Sequence, residues 1–508
     1  MKTQPRNQLA ILLLLFASFG LAQDGPPQSA APPPSTPSRR QAPQPATPPA
    51  EKTAPDAARD GAKTIPHQLT AAEKEELLAS VDEVLQFASQ ATLLPIKHSV
   101  KRAIVSREQV EKYLDDKFKT DVDRVRFERS ELVLKKFGLL PRTFELHSFL
   151  IKLLGEQVAG YYDEKSKTMN LLDWNEPEMQ KPVMAHELTH ALQDQSYDLE
   201  KMSKHDEEVE KRGLEDLNLV VREDEQSTCR SAIMEGQAMI VYLDYVLAPN
   251  GTSVEKSPKI VDIMQSSMEK SSDSPIFDSA PLLLQQELIF PYRQGMAFIK
   301  ALLVSGGKQL AYRGVLDRMP QTTREIMEPA EYLAGRRVAP LLLPDLGFLK
   351  KEYEPYDAGA IGELDVSILL QVYADDAIAK RLSREWRGGS YYAAGRKGAK
   401  PSDPNSSAHV GLYYISKWSN EAAAREFAKI YAAALSKRYS GLRHQPPDAA
   451  KPGLDKYLSS DGPIFIQQTG NMVVIVESFD PAFVGRLVEL GLKQGQETTE
   501  KASSGEQR

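Results

Sequence analysis

The chain has 508 residues and a formal net charge of −7, with 41% hydrophobic and 26% charged residues. This composition is that of an ordinary globular protein, and the length predicts two or three domains. The mild negative charge gives no footprint for nucleic acid or anionic lipid, so we expect neither as a partner.

The N-terminus has the pattern of an export signal. Lys2 and Arg6 precede the apolar run 9–22, which ends in small residues that suit a signal peptidase. The run is shorter than the roughly 20 residues that a membrane-spanning helix needs. We therefore predict a signal peptide over residues 1–22, a secreted or periplasmic protein, and no integral membrane span after signal removal.

A Pro-rich linker and two capped helices are predicted next. Residues 23–66 combine repeated prolines with Ala, Gln, Ser and Thr, a composition that cannot bury a core and predicts a disordered segment. Thr70 and Glu73 then form a capping-box pattern ahead of apolar residues at helical spacing. Ser106 and Gln109 form a second capping box, which opens a second helix.

Two more helices and a β-hairpin are predicted before the central motif. Helical patterns cover about 130–137 and 144–157. Residues 158–162 and 168–172 are β-favouring segments on either side of a polar tract, which predicts a hairpin. Helices dominate again over about 182–318.

The motif that carries chemistry is His186-Glu187-x-x-His190, on a helix that Pro182 is expected to open. The chain has eight histidines, so this spacing rarely arises by chance. Four residues make just over one helical turn, and both imidazoles can therefore reach one metal ion. Glu187 is rotated by about 100° and is expected beside the ion, where a general base acts on water. The alternative is two hydrogen-bonded histidines with a solvated glutamate between them.

A catalytic zinc site needs a third protein ligand and one open position. Residues 191–197 offer no further histidine. The next helical pattern, 225–247, contains Glu235 beside Gly236 and Ala238, small residues that let two helices approach closely. Glu235 is therefore the leading candidate. The alternatives are His205, Glu223 and Glu225.

The C-terminal part mixes helices with short strands and predicts a separate α+β domain. Its predicted elements are helices near 363–382, 421–436 and 481–493, a strand at 410–415, and a hairpin of 464–468 with 472–476. The predicted boundaries are a helix-rich domain over 67–350, the α+β domain over 351–494 and a disordered tail over 495–508.

Residues 186–195, HELTHALQDQ, followed by Glu235-Gly236-x-Ala238, resemble the gluzincin type of zinc metallopeptidase. They are more similar still to a group of secreted prokaryotic proteins that share this decapeptide. Segment 158–163 is similar to the edge strand that pairs with extended substrate in gluzincins. Further similar segments are 291–295, 322–329, 362–364, 388–391 and 418–427. The resemblance implies an α+β protein with a mostly helical, zincin-like catalytic domain, a small antiparallel sheet and the C-terminal α+β domain.

The resemblance also implies an exported zinc-dependent endopeptidase with one Zn²⁺ per chain, held by His186, His190 and Glu235. Its substrate would be a protein or peptide, and Glu187 would be the general base that takes a proton from water and passes it to the leaving nitrogen. Two alternatives are a non-catalytic exported scaffold with a gluzincin-like core, and a zinc hydrolase that acts on non-peptide envelope substrates.

The sequence departs from the gluzincin pattern at Met239, where many members carry an aspartate that orients the first histidine. Asp194, one turn beyond His190, and Asp224 are candidates for this role. A donor that stabilises the oxyanion is also expected. The candidates for this donor are Tyr292, Tyr332 and His205. Tyr292 is the leading one, because it is expected just before a helix of small residues.

Overall fold

The computed structural model describes residues 68–118, 121–157, 159–175, 177–270, 274–399, 407–446 and 453–504. The predicted signal peptide and linker, residues 1–66, lie outside the described residues. The predicted α+β fold class is confirmed. Helices and a small sheet form the first part of the chain, and a larger sheet forms the C-terminal part.

The first part of the chain is built from helices that follow the capping signals in the sequence. Thr70 caps the first helix by the expected reciprocal bonds with Glu73, and Ser106 with Gln109 does the same for the second. The helices are α1 (Ala71–Thr92), α2 (Arg107–Phe118), α3 (Asp121–Lys136), α4 (Leu146–Gln157), α5 (Pro177–Tyr197), α6 (Leu199–Arg212), α7 (Leu217–Leu247), α8 (Lys259–Lys270), α9 (Pro275–Asp278), α10 (Leu282–Lys308), α11 (Val315–Asp317), α12 (Thr323–Met327) and α13 (Pro329–Leu333). Among the described helices of the whole chain, none has the length and apolar character of a membrane span.

A three-stranded sheet packs against α5. Strands β2 (Gly160–Asp163) and β3 (Thr168–Leu172) form the predicted hairpin, and β1 (Lys101–Val105) pairs in parallel with β3. The sheet is therefore mixed, whereas the sequence predicted only its antiparallel pair. The parallel strand gave no local signal, because its partner is distant in sequence and no turn connects the two. The strand order β1-β3-β2 leaves β2 at an edge.

Helix α7, which carries Glu235, crosses α10 at a contact between two glycines. A Cβ built on Gly236 would lie 2.3 Å from the carbonyl carbon of Gly295. A Cβ on Gly295 would lie 2.0 Å from the carbonyl oxygen of Ala232. Neither position has room for a side chain, so the two backbones touch only because both residues are glycine. The expected close approach of a second helix beside Glu235 is confirmed.

The C-terminal part is a seven-stranded antiparallel sheet in the order β4-β5-β6-β10-β9-β8-β7. Its elements are β4 (Tyr353–Ala360), α14 (Glu363–Tyr373), α15 (Asp376–Leu382), β5 (Trp386–Arg396), β6 (Val410–Trp418), α16 (Glu421–Arg438), β7 (Arg443–His444), β8 (Leu454–Ser459), β9 (Gly462–Thr469), β10 (Met472–Glu477) and α17 (Pro481–Ser504). The predicted hairpin is β9 with β10. Neighbouring residues of β6 face opposite helices, since Tyr414 packs on Tyr431 of α16 while the Tyr413 hydroxyl donates to the Leu487 carbonyl of α17.

Helix α17 extends to Ser504, into the segment for which the sequence predicted a disordered tail. The sheet contacts this helix at Gly495. Lys417 of β6 donates to the Gly495 carbonyl at 3.1 Å, and a Cβ on Gly495 would lie 2.4 Å from the sulfur of Met472. This tertiary contact stabilises the helix, and the polar sequence of the tail does not predict it.

The two parts of the chain meet along α7. Asp224 accepts a hydrogen bond from the Ala360 amide at 2.9 Å, and Glu225 accepts one from the Thr323 amide at 2.8 Å. A Cβ on Gly362 would lie 2.0 Å from a Glu225 oxygen. The predicted boundary at residue 351 thus separates two segments that pack against one shared helix.

Candidate metal centre

Helix α5 holds the motif residues in the interior of the protein. It begins at Pro177, so Pro182 lies inside the helix and not in its first turn as predicted. The exposed fractions of His186, Glu187 and His190 are only 6%, 2% and 2%. Buried ionisable groups need partners. The arrangement therefore disfavours the alternative of a solvated glutamate between two histidines.

Three potential ligand atoms converge beside α5. The two Nε2 atoms of His186 and His190 lie 3.1 Å apart. The Oε2 atom of Glu235, on α7, lies 3.2 Å from the first and 3.5 Å from the second. Within the described part of the chain, this is the one group of three His, Cys, Asp or Glu side chains placed to hold a metal ion. The three alternative candidates for the third ligand, His205, Glu223 and Glu225, lie outside this group.

The spacing of these atoms fits a tetrahedral zinc ion. Ligand atoms at about 2.0–2.1 Å from such an ion lie about 3.3 Å from one another. The observed separations of 3.1, 3.2 and 3.5 Å bracket that value. Because all three side chains are buried, this cluster of polar atoms needs either a metal cation or shared protons between its members.

Glu235 sets the charge of the triad. Burial by itself would favour the neutral acid, but the adjacent His190 and His186 outweigh it and lower the pKa of Glu235 to about 2. Burial likewise favours neutral His190, yet Glu235 raises the pKa of that imidazole to about 9. The buried carboxylate therefore stays ionised and attracts positive charge, either protons in the metal-free protein or a metal cation.

Glu187 lies beside the triad without belonging to it. Burial raises the pKa of Glu187 above its usual value, although both histidines oppose this shift. Its Oε2 atom is buried and has no hydrogen-bond partner. A Cβ built on Gly160 of β2 would lie 3.7 Å from Glu187 Cγ, so the strand packs against this side chain. A carboxylate with a raised pKa and an available oxygen is suited to take up and release a proton.

Gln193 orients His190. The side-chain oxygen of Gln193 lies 2.8 Å from His190 Nδ1, and its amide group donates to the Met234 carbonyl and to Gln237. An amide oxygen can only accept, so Nδ1 carries the proton and Nε2 presents its lone pair to the triad. The sequence interpretation missed this residue, although its position three residues after His190 places it on the same helix face.

We expect Gln193→Leu to weaken metal binding by about 10–100-fold, because the partner of a ligand histidine fixes its ring and its basicity. Gln193→Glu keeps an acceptor oxygen of equal reach and should lose less. Competition titration against a chromophoric chelator measures both affinities. An unchanged affinity in Gln193→Leu would contradict the assigned role.

Asp194 does not orient a histidine, contrary to prediction. Its carboxylate accepts from the Tyr162 hydroxyl at 2.7 Å and pairs with Lys167 at 2.9 Å. Both partners belong to the β2–β3 hairpin, so Asp194 fixes that hairpin against α5. The other candidate, Asp224, lies at the junction with the C-terminal sheet.

Of the three candidates for oxyanion stabilisation, only Tyr292 contacts the triad. It lies within α10 and not before a helix, and its ring lies parallel to His186, with centroids 6.3 Å apart and 18° between the planes. The Tyr332 hydroxyl donates to a backbone carbonyl elsewhere. His205 is 54% exposed in its side chain and pairs with Glu223 at 3.5 Å. Tyr292 thus packs on a triad ring and restricts its orientation.

Strand β2 presents an edge beside Glu187. In the sheet order, one side of β2 has no neighbouring strand among the described residues. Gly160 of this strand lies against Glu187, as the approach of its Cβ position shows. Extended peptides bind to such edges through main-chain hydrogen bonds, with side chains entering adjacent pockets.

Given the peptide cleavage that the sequence predicts, we expect Gly160→Pro to lower its kcat/KM by about tenfold or more with unchanged metal content, because proline removes a backbone donor and distorts the edge. Gly160→Ala is the control, since it keeps the amide but places a methyl group 3.0 Å from Val183 Cγ1. Equal losses in both variants would assign the effect to packing. Unchanged cleavage in Gly160→Pro would make the hairpin purely structural.

Comparison with known families reaches only the C-terminal part of the chain. A family model described as "Domain of unknown function (DUF8575)" matches residues 352–487. The matched region comprises the seven-stranded sheet with its helices and does not include the triad. No curated protein and no solved structure matches the chain.

Proposed function

We propose that the protein is an exported zinc-dependent endopeptidase in which Glu187 is the general base. The observation that carries the proposal is the buried triad of His186, His190 and Glu235, whose ligand atoms are separated as zinc ligands are. Glu187 beside the triad and the strand edge next to it support peptide hydrolysis over a purely structural metal site. Export rests on the signal-peptide pattern of residues 1–22.

Two imidazoles and a carboxylate suit zinc and leave a coordination position open, which is typical of catalytic sites. A zinc ion bound there would supply Lewis-acid chemistry, polarising a carbonyl and lowering the pKa of water to about 7. The single triad among the described residues corresponds to one ion per chain.

The residues around the triad then have distinct roles. His186 is held by the ring of Tyr292, and His190 by Gln193. Glu187 takes a proton from the attacking water and returns it to the leaving nitrogen. Strand β2 aligns the substrate backbone so that its carbonyl lies beside the triad. Burial of the whole group excludes competing water and strengthens each electrostatic interaction.

The test is hydrolysis by the purified, exported full chain, with zinc content measured on the same sample. Casein and a mixed peptide library are incubated with the protein, and new termini are identified by mass spectrometry. We expect cleavage that a chelator abolishes and added zinc restores. Bound zinc without cleavage of any peptide would favour the non-catalytic scaffold, and hydrolysis of envelope polymers alone would favour the non-peptide hydrolase.

A further inference from the structure

A cavity opens directly beside the triad. It has a volume of about 120 Å³ and is bordered by His190 and Glu235. The cavity extends away from them between α6 and α7, and Tyr162 of the edge strand forms part of its wall. A side chain of a peptide lying along β2 can therefore enter it from a residue that flanks the scissile bond.

The walls of the cavity suit a long aliphatic chain. Leu199 and Met202 of α6 and Met234 of α7 line the open space. Methionine side chains are unbranched and polarizable, so they adapt to methylene groups of varied conformation. Lysine and arginine bury such methylene stems along apolar surfaces while their charged ends seek polar partners.

The charged residues in and next to the cavity wall include an excess of carboxylates. Arg230 lines it and pairs with two carboxylates, Asp206 and, at 3.5 Å, Glu223. Glu164 also lines the cavity and has no ion-pair partner within the described part of the chain. Even if the exposed His205, which lies 3.5 Å from Glu223, is counted as a cation, three carboxylates face two positive charges.

The neighbouring groups do not neutralise this excess. Lys167 is already shared by Asp194 and Glu200, at 2.9 and 3.7 Å. A divalent ion in the triad would be balanced by the two carboxylates of Glu235 and Glu187. Burial raises the pKa of Asp206 despite the adjacent arginine. The negative charge of this carboxylate is therefore poorly compensated. A cation entering the cavity would relieve this desolvated negative charge.

We propose that this cavity selects a lysine or arginine side chain next to the scissile bond, with Asp206 and Glu164 as its charge-recognising residues. The proposal rests on the proposed peptidase function and names its substrate class. The methylene stem of the substrate lies along Leu199, Met202 and Met234, and its cationic end reaches Glu164 and Asp206. A glutamate side chain would be repelled by the same two carboxylates.

The experiment measures kcat/KM for the purified full chain on internally quenched peptides of one sequence. The residues that flank the scissile bond are set in turn to Lys, Arg, Leu or Glu. We expect one of the two flanking positions to favour Lys and Arg over Leu by about tenfold, and over Glu by about a hundredfold. Asp206→Asn should reduce the ratio of kcat/KM for the Lys peptide to that for the Leu peptide. It should also improve cleavage of the peptide that carries Glu at this position, because Arg230 then has one carboxylate fewer.

Glu164→Gln provides a second variant, since this partly exposed side chain has no ion pair to lose and its replacement is compatible with folding. It should also lower the Lys-to-Leu ratio. Glu208→Gln is the matched control, because it removes the same charge from an exposed position of α6 and should leave the ratio unchanged. Zinc content and melting temperature identify any variant that misfolds.

The outcomes separate this proposal from the one on which it rests. Metal-dependent cleavage with an apolar preference that neither Asp206→Asn nor Glu164→Gln alters would overturn the selectivity and leave the peptidase function intact. A wild-type protein that holds zinc but cleaves none of the peptides would overturn both.

Discussion

Glu187→Gln is expected to lower the kcat/KM for peptide cleavage by about 10²–10⁴-fold while zinc content stays at the wild-type level. The substitution keeps the size and shape of the side chain but removes the basicity that proton transfer needs. Zinc should be retained because Glu187 lies outside the group of three ligand atoms. Metal analysis and steady-state kinetics on the same preparation test both parts of the prediction.

The melting temperature of this variant should not fall. Burial raises the pKa of Glu187, so the folded protein disfavours its charged form, and a neutral amide removes that cost. Glu178→Gln, at an exposed position in the first turn of the same helix, is the control and should retain full activity. Substantial activity in Glu187→Gln would mean that another group activates the water.

His190→Ala should abolish stoichiometric zinc binding and, with it, all hydrolysis. The substitution removes one of three ligands, and a catalytic zinc site with two protein ligands lacks a defined geometry. His186→Ala should have the same effect, and Glu235→Ala should weaken binding. Elemental analysis after dialysis against a weak chelator measures the occupancy, and His205→Ala, on the exposed face of α6, is the matched control.

Thermal unfolding gives an independent measure of the same loss. A ligand that binds only the folded state stabilises it by about 2.7 kcal/mol at a free concentration of 100 times its Kd. Zinc should therefore raise the melting temperature of the wild type and of His205→Ala but not that of His190→Ala. Full occupancy in both His186→Ala and His190→Ala would rule out the triad as the zinc site.

The sequence by itself determined the features that depend on local geometry. His186 and His190 share a stripe because helical periodicity fixes the relation of residues four apart, whatever surrounds the helix. The two capping boxes were also predictable, since each bonds within four consecutive residues. The small residue beside Glu235 indicated a close helix crossing, and Gly236 makes that contact.

Only the tertiary structure decided which distant groups reach these local features. Glu235 meets the histidines because α7 packs against the motif helix α5, whereas His205, Glu223 and Glu225 lie outside the triad. Helical periodicity could not identify the third ligand among these candidates. It shows on which face of a helix a residue lies, but not which element packs against that face.

The same reason explains why Asp194 was the predicted partner of a histidine and why Gln193 was missed. Asp194 and Gln193 are adjacent in sequence and both hydrogen-bond readily, but their side chains are about 100° apart around α5. The Asp194 side chain therefore hydrogen-bonds to the β2–β3 hairpin, whereas the Gln193 side chain hydrogen-bonds to the ring of His190 and to α7. The charge excess beside the triad likewise arises from Glu164 on a hairpin and Asp206 on a helix, which only the folded chain brings to one cavity.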